Sequence, residues 1–270
     1  MSRELALRIA SGVVGLPLVI LLVRAGPVTT GALLAVAAAV ATSEYYRIVF
    51  GRVPALGWVG VVGATAVPIV GAVAPDLAPA TVFAAAVVGT SMLAWTGCLL
   101  LGPRATAPEH AGHIVAGFLF TAGGFAALSV LRCGPGGAAW VLLVFAASWG
   151  NDAAAYFGGR LLGRHPISPV SPHKTWEGAV AGMVGGTAVL LVVRRWVPGL
   201  AVSGSVMLGI LAGVAGPVGD FCKSLLKRAY QVKDSGHLIP GHGGLLDRVD
   251  AVLFNAVVVL VARSAVSTLS

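Results

Sequence analysis

Charge is the scarcest ingredient of this chain. Only 10% of its 270 residues are Asp, Glu, Lys or Arg, against about 25% in a soluble globular domain. So thin a supply cannot cover a water-facing surface, and a soluble fold is excluded. Acids are scarcer than bases, ten against 18, for a formal net charge of +8. With the bases placed between apolar runs, that excess is a topology signal, and no nucleic-acid partner is expected. Cysteine is limited to Cys98, Cys133 and Cys222. They are scattered through or beside apolar stretches without metal-ligand spacing, so they are expected to be small buried hydrophobes. Also missing are an HExxH pair, a Walker lysine loop and a GxSxG elbow.

Hydrophobic residues make up 57% of the chain. They fall in runs of about 18 residues or more, each long enough to cross a hydrocarbon core of about 30 Å as a helix. Nine runs are legible, at roughly 9–23, 29–46, 55–75, 78–101, 112–131, 137–158, 177–199, 202–222 and 249–268. The expected fold is an all-α integral membrane protein of about nine transmembrane helices. The first run has no small-residue cleavage site followed by a soluble domain, and is read as a span. With the N-terminus inside, only Arg24, Arg132, Arg194, Arg195 and Arg263 lie outside, leaving thirteen of the 18 bases inside. The N-terminus and the long polar loops are therefore expected in the cytoplasm, and the C-terminus outside.

The chain divides into two parts. Residues 1–135 read as transmembrane helices that serve as a packing or dimerisation scaffold, rich in Ala, Val, Leu and Gly and without an internal repeat. Glu44 and Arg47, three apart on one helix face, end the second run. Residues 136–270 read as the catalytic domain. Six of the ten acids fall between 151 and 250: Asp152, Glu177, Asp220, Asp234, Asp247 and Asp250. Ionisable groups beside lipid are costly, so these are functional candidates by default. Two inside loops, 159–176 and 223–247, carry most of this charge.

Three constellations stand out. Asp220, Lys223, Ser224, Lys227 and Arg228 recur at i, i+3, i+4, i+7 and i+8, on one helical face. Phe221, Cys222, Leu225 and Leu226 take the other face. A collar of snorkelling bases accounts for the lysines and the arginine but not for Asp220, so the stripe is read as facing a wet cavity. Next, KDSGHLIPGHGG runs from Lys233 and Asp234 to His242, Gly243 and Gly244. Its glycines let a backbone approach a ligand closely, and it enters a helix whose N-terminus suits phosphate. Asp247, Arg248 and Asp250 sit at that entry. Asp247 and Asp250 share a face, and paired carboxylates beside bases suit a hard cation such as Mg²⁺ together with phosphate oxygens. The third set is Asp152, Tyr156 and Arg160 at i, i+4 and i+8, followed by SPHKTWEG. Ser171 and Pro172 read as an N-cap and first helical residue, with Lys174 and Thr175 in a first turn open to an anion. Glu177 reads equally as a partner of this site or as a favourable helix-dipole charge. His110 and His113 read as loop decoration. His165, His173 and His237 read as surface groups or phosphate neighbours.

The run SLLKRAYQVKDSGHLIPGHGGLLDRVD, Ser224 to Asp250, closely resembles the signature of phosphatidate cytidylyltransferases (CDP-diacylglycerol synthases). That signature is S, two residues on K-R, four residues on K-D, then Gly, and later H-G-G and D-R-x-D, and every position is filled here. Gly219-Asp220, Asp152 with Tyr156 and Gly159-Arg160, and Ser171-Pro172 with Lys174-Thr175 and Glu177-Gly178 are similar to the family as well. Over the N-terminal half the likeness is one of hydropathy and length.

The resemblance implies a multi-helix enzyme of a bacterial-type cytoplasmic (inner) membrane, with its active site facing the cytoplasm. It would make CDP-diacylglycerol and pyrophosphate from CTP and phosphatidic acid. It implies Asp220 and Asp247 as ligands of Mg²⁺, with a second cation left open and Asp250 in support. Lys227, Arg228, Lys233 and Arg248 would bind phosphates, and Ser224, Asp234, His242, Gly243 and Gly244 would bind substrate with the Asp152 and Ser171 groups. A homodimer rests on the resemblance alone. Departures fall at Lys223, where the family often has Glu or a small residue, at Ala251, where Ser is common, and at Asn151. They bear on substrate preference and leave the metal and phosphate positions intact. Two other readings stay open: a CTP-dependent polyprenol or lipid kinase, attacking the γ-phosphorus, and a secondary transporter coupled through Asp152 and Asp220. Transporters place such acids near the midplane, often in inverted repeats; here they sit at helix ends and no repeat is visible.

Overall fold

The apolar runs are helices, and several continue beyond the limits that hydropathy sets. The computed structural model describes residues 15–74, 77, 79–102, 105–169, 171–236, 238 and 243–267. Nine α-helices fall among the described residues: α1 (Gly15–Ala25), α2 (Pro27–Phe50), α3 (Gly57–Val73), α4 (Pro79–Leu101), α5 (Ala107–Cys133), α6 (Gly137–Leu162), α7 (Trp176–Val193), α8 (Val202–Ala229) and α9 (Leu246–Ser267). Five are long and apolar enough to cross a membrane: α2, the 81–101 stretch of α4, α5, α7 with its 3-10 extension to Trp196, and α8. The chain is thus an all-α, multi-pass membrane protein. Large apolar side chains such as Leu101, Leu161 and Leu100 point outward, as lipid contact requires. The chain folds into two compact units, residues 1–133 with 230–248, and residues 134–229 with 249–270.

In the first unit α2, α3 and α5 pack on one another, and α4 lies against α3 and α5. Tyr46, Ile114, Phe118, Phe125, Leu128 and Leu131 form its core. Two buried polar contacts tie α2 to α5: Tyr46 Oη donates to Ile114 O at 2.7 Å, and the Thr42 and Thr121 hydroxyls meet at 2.7 Å. His110 and His113 belong to α5 and not to a loop. The helix starts at Ala107, before the apolar run, with Glu109 favoured in its first turn. Their rings stand edge-on to Phe50, and His113 Nε2 lies 3.0 Å from the Tyr230 hydroxyl.

In the second unit α6, α7 and α8 pack together, and α9 from Val249 onward joins them. Close approach of α6 and α7 depends on glycine. A Cβ on Gly182 would meet Asn151 Oδ1 at 2.8 Å and Ala155 Cβ at 2.9 Å, distances that force the helices apart. Gly182→Val should therefore lower stability by about 1–3 kcal/mol. A thermal-unfolding comparison in detergent with Gly123→Val, where nothing lies within 4 Å of the added Cβ, checks this. Equal unfolding of the two variants would refute the close-packing account. Cys98 is buried, but Cys222 is exposed, against expectation: the inward face of α8 is taken by its charged stripe.

A further local expectation fails. Ser171 does not cap a helix. Ser171–Thr175 is a strand, paired antiparallel with Pro166–Ser168. Helix α7 begins one turn later, capped by Thr175, whose hydroxyl accepts from Gly178 N at 3.2 Å. The reason lies in Glu177. Its Oε2 accepts from Arg164 N at 3.1 Å and His165 N at 3.2 Å, and Oε1 lies 2.5 Å from His165 Nδ1. These bonds fold the segment back as a hairpin before the helix starts.

Candidate active site

Two of the sequence constellations converge within the second unit. Asp152, Tyr156 and Arg160 lie on successive turns of α6, as their spacing requires. Together with Lys174 and Thr175 from the hairpin, and Asp220, Phe221 and Pro217 from α8, they line a cavity of about 540 Å³. That is within the usual range for small-ligand pockets. Pro217 has no amide to continue the α8 hydrogen-bond ladder, so the helix is loosened one turn before Asp220.

The charges in the wall are organised around lysine. Lys174 forms an ion pair with Asp220, and its ammonium lies 4.5 Å from the centroid of the Phe221 ring. Lys223 lies 2.8 Å from Asp220 Oδ1 and 2.5 Å from Asp250 Oδ2, with Lys223 and Asp250 side chains 8% and 7% exposed. One buried ammonium thus bridges α8 and α9, and a second ties the hairpin to α8. Arg160 Nη1 donates to Tyr156 Oη at 3.2 Å and stays exposed. Asn151, buried at the wall, leaves its Oδ1 without a hydrogen-bond partner, as does Asn255, whose Nδ2 donates to Ser148 Oγ at 2.8 Å. Of the remaining stripe, Ser224 and Lys227 are half-buried and Arg228 is exposed. Ser171 is half-buried at the start of its strand.

The signature loop belongs to the first unit, and there the structure shows a residue that sequence reasoning passed over. Glu44 on α2 is 2% exposed. Its Oε1 accepts from Leu245 N at 3.0 Å, and its Oε2 accepts from Leu246 N at 2.7 Å. Ser235 Oγ lies 3.1 Å from Glu44 Oε2 and 2.9 Å from Asp247 Oδ2, and Ser235 N donates to Asp247 Oδ2 at 2.8 Å. Gly243 takes a left-handed φ of 78° and lies against Asp247. A Cβ at Gly244 would meet Glu44 Oε2 at 2.6 Å. Lys233, Asp234 and Arg248 are exposed, while His237 and His242 lie outside the described residues. The signal for Glu44 was available: it is one of only ten acids and falls at the end of an apolar run, where a carboxylate needs a reason.

A family model described as the Cytidylyltransferase family matches residues 6–266. The chain belongs to the cytidylyltransferase family. Among relatives of known name, it is 40% identical over 144 residues to a phosphatidate cytidylyltransferase of Brucella suis, covering 53% of each chain. It is 44% identical over 125 residues to that of Synechocystis, covering 45% of this chain and 42% of the relative. With that of Helicobacter pylori the identity is 39% over 153 residues, 54% and 55% of the two chains. The chain spans about half the length of the curated relatives it matches. In this member of the cytidylyltransferase family, bases and carboxylates from three elements face one cavity.

Proposed function

We propose that the protein transfers CMP from CTP to phosphatidic acid, giving CDP-diacylglycerol and pyrophosphate, at the cytoplasmic face of a bacterial-type inner membrane. The observation that carries this reading is the cavity walled by Asp152, Tyr156, Arg160, Lys174 and Asp220, in a chain of the cytidylyltransferase family. The reading includes nine crossings with a cytoplasmic N-terminus. The thirteen-to-five distribution of bases supports that orientation.

The reaction is a displacement at phosphorus. A phosphate oxygen of phosphatidic acid forms a bond to the α-phosphorus of CTP. The bond from that phosphorus to the bridging oxygen breaks, and pyrophosphate leaves with the electron pair. The nucleophile is already an anion, so no strong general base is needed. The barrier lies in bringing two anions together in line and accommodating charge on the leaving group. Lys174 and Arg160 reduce the repulsion, and the Tyr156 hydroxyl helps fix the guanidinium. Lys227, Arg228, Lys233 and Arg248 serve the remaining phosphates. The donor set fits magnesium: Asp152 and Asp220 are hard oxygen donors on the cavity wall, and Mg²⁺ takes one or two carboxylates alongside substrate phosphates. Asp220 would hold it from the cavity wall, with Asp247 as the second ligand that the signature resemblance implies, and when bound it would supply neutralisation of phosphate charge.

The test uses purified protein in detergent with phosphatidic acid, Mg²⁺ and CTP labelled separately at the α and γ phosphates. Label from the α position in lipid, with stoichiometric pyrophosphate, is the expected outcome. Label from the γ position in lipid, with CDP released, would replace the reading with a lipid kinase. Transfer of neither label would remove the enzyme reading.

A further inference from the structure

We infer that Glu44, outside the signature, is a positioning residue that sets Asp247 through Ser235. As a statement about catalysis this rests on the proposed transfer reaction; as a statement about the loop it stands on geometry alone. A carboxylate buried in a helix bundle is costly unless its oxygens are satisfied. Glu44 is satisfied by the loop: two backbone amides, Leu245 and Leu246, and the Ser235 hydroxyl. Those amides open α9, where no intrahelical partner exists for the first N–H groups. The Glu44 carboxylate thus acts as an N-terminal cap supplied from a helix some two hundred residues away in sequence.

The loop is shaped to fit it. The ideal Cβ of Gly236 would fall 2.7 Å from Glu44 Oε1, and that of Gly244 would fall 2.6 Å from Oε2 and 2.7 Å from Gly236 N. Both glycines are therefore required by the closeness of backbone to carboxylate, apart from any ligand. Ser235 then links the anchor to Asp247. Its single hydroxyl proton serves one of the two carboxylates at a time, while its amide holds Asp247 Oδ2. Displacing the anchor therefore moves the Asp247 carboxylate, and a misplacement of about 1 Å costs roughly a hundredfold in rate.

The experiment compares wild type, Glu44→Gln and Ser235→Ala by amide hydrogen exchange and steady-state kinetics. In Glu44→Gln an NH₂ group can face Leu246 N–H. Exchange at Leu245 and Leu246 should rise while the remainder of α2 keeps its protection. The kcat should fall by roughly a hundredfold with KM for CTP changed by less than about threefold. In Ser235→Ala the amides at 245 and 246 should stay protected while kcat falls, because the hydroxyl that joins Glu44 to Asp247 is lost while the backbone bond to Asp247 and the cap are kept. Unchanged exchange at 245 and 246 in Glu44→Gln would overturn the anchor. Raised exchange with wild-type kcat would overturn positioning and leave a structural cap. Should Glu44→Gln fail to fold, Ser235→Ala decides alone, and wild-type kcat there refutes the relay. If the wild type transfers no label, the exchange data still decide the anchor, so the two failures are distinguishable.

Discussion

The Asp247→Asn protein should express and fold like the wild type yet transfer CMP on the order of 10³-fold more slowly. Folding should survive because asparagine keeps the shape and keeps an oxygen for Ser235 N–H, now 2.8 Å from Asp247 Oδ2. The cap of α9 is also untouched, since its amides are held by Glu44. What the substitution removes is the negative charge that the proposed Mg²⁺ would take from Asp247. Isotope transfer from α-labelled CTP reports the loss, and the thermal-unfolding midpoint reports the retained fold. Wild-type turnover in this variant would sink the assignment of Asp247 to the metal. A collapsed midpoint would instead make the carboxylate a structural element of the loop.

Replacing Lys223 by methionine should have the largest effect on stability. Its ammonium lies between Asp220 and Asp250 at 2.8 and 2.5 Å, and Asp250 has almost no access to water. Without it the buried Asp250 carboxylate loses its cation, while Asp220 keeps Lys174. Breaking a buried pair by removing one partner costs about 3–5 kcal/mol, which for a chain of this size lowers the unfolding midpoint by roughly 10 °C. Lys223→Met combined with Asp250→Asn should regain most of the loss, because the buried charge is removed with its partner. A double variant no more stable than the single one would show that the lysine acts through packing of its stem and not through its charge.

The polar stripe of α8 was legible because helical periodicity alone puts Asp220, Lys223, Ser224, Lys227 and Arg228 on one side. The grouping of Asp152, Tyr156 and Arg160 was legible for the same reason, while their convergence with Lys174 and Asp220 on one cavity is seen only in the structure. The hairpin was not. Its strands are only three and five residues long, too short for a periodicity, and what holds them is Glu177, whose acceptors are reached only once the chain has turned. Hydropathy likewise started α5 at 112, because it measures affinity for lipid and not hydrogen bonding, whereas the periodicity of the stripe already carried α8 past its apolar limit at 222. The helices run to Ala229 and from Ala107.

Composition and run length by themselves determined that this chain is a helical, multi-pass membrane protein, since too few charges and many long apolar runs leave a water-soluble surface no material. The signature by itself pointed to cytidylyl transfer, because its acids, bases and glycines stand at fixed local spacings. Only the tertiary structure decided what each charge is paired with. Lys223 joins Asp220 to Asp250, Lys174 reaches Asp220 from a hairpin, and Glu44 holds a loop that begins 191 residues further on at Ser235. Pairing of buried charge is settled by proximity in space, and no local pattern in the chain encodes a partner so distant.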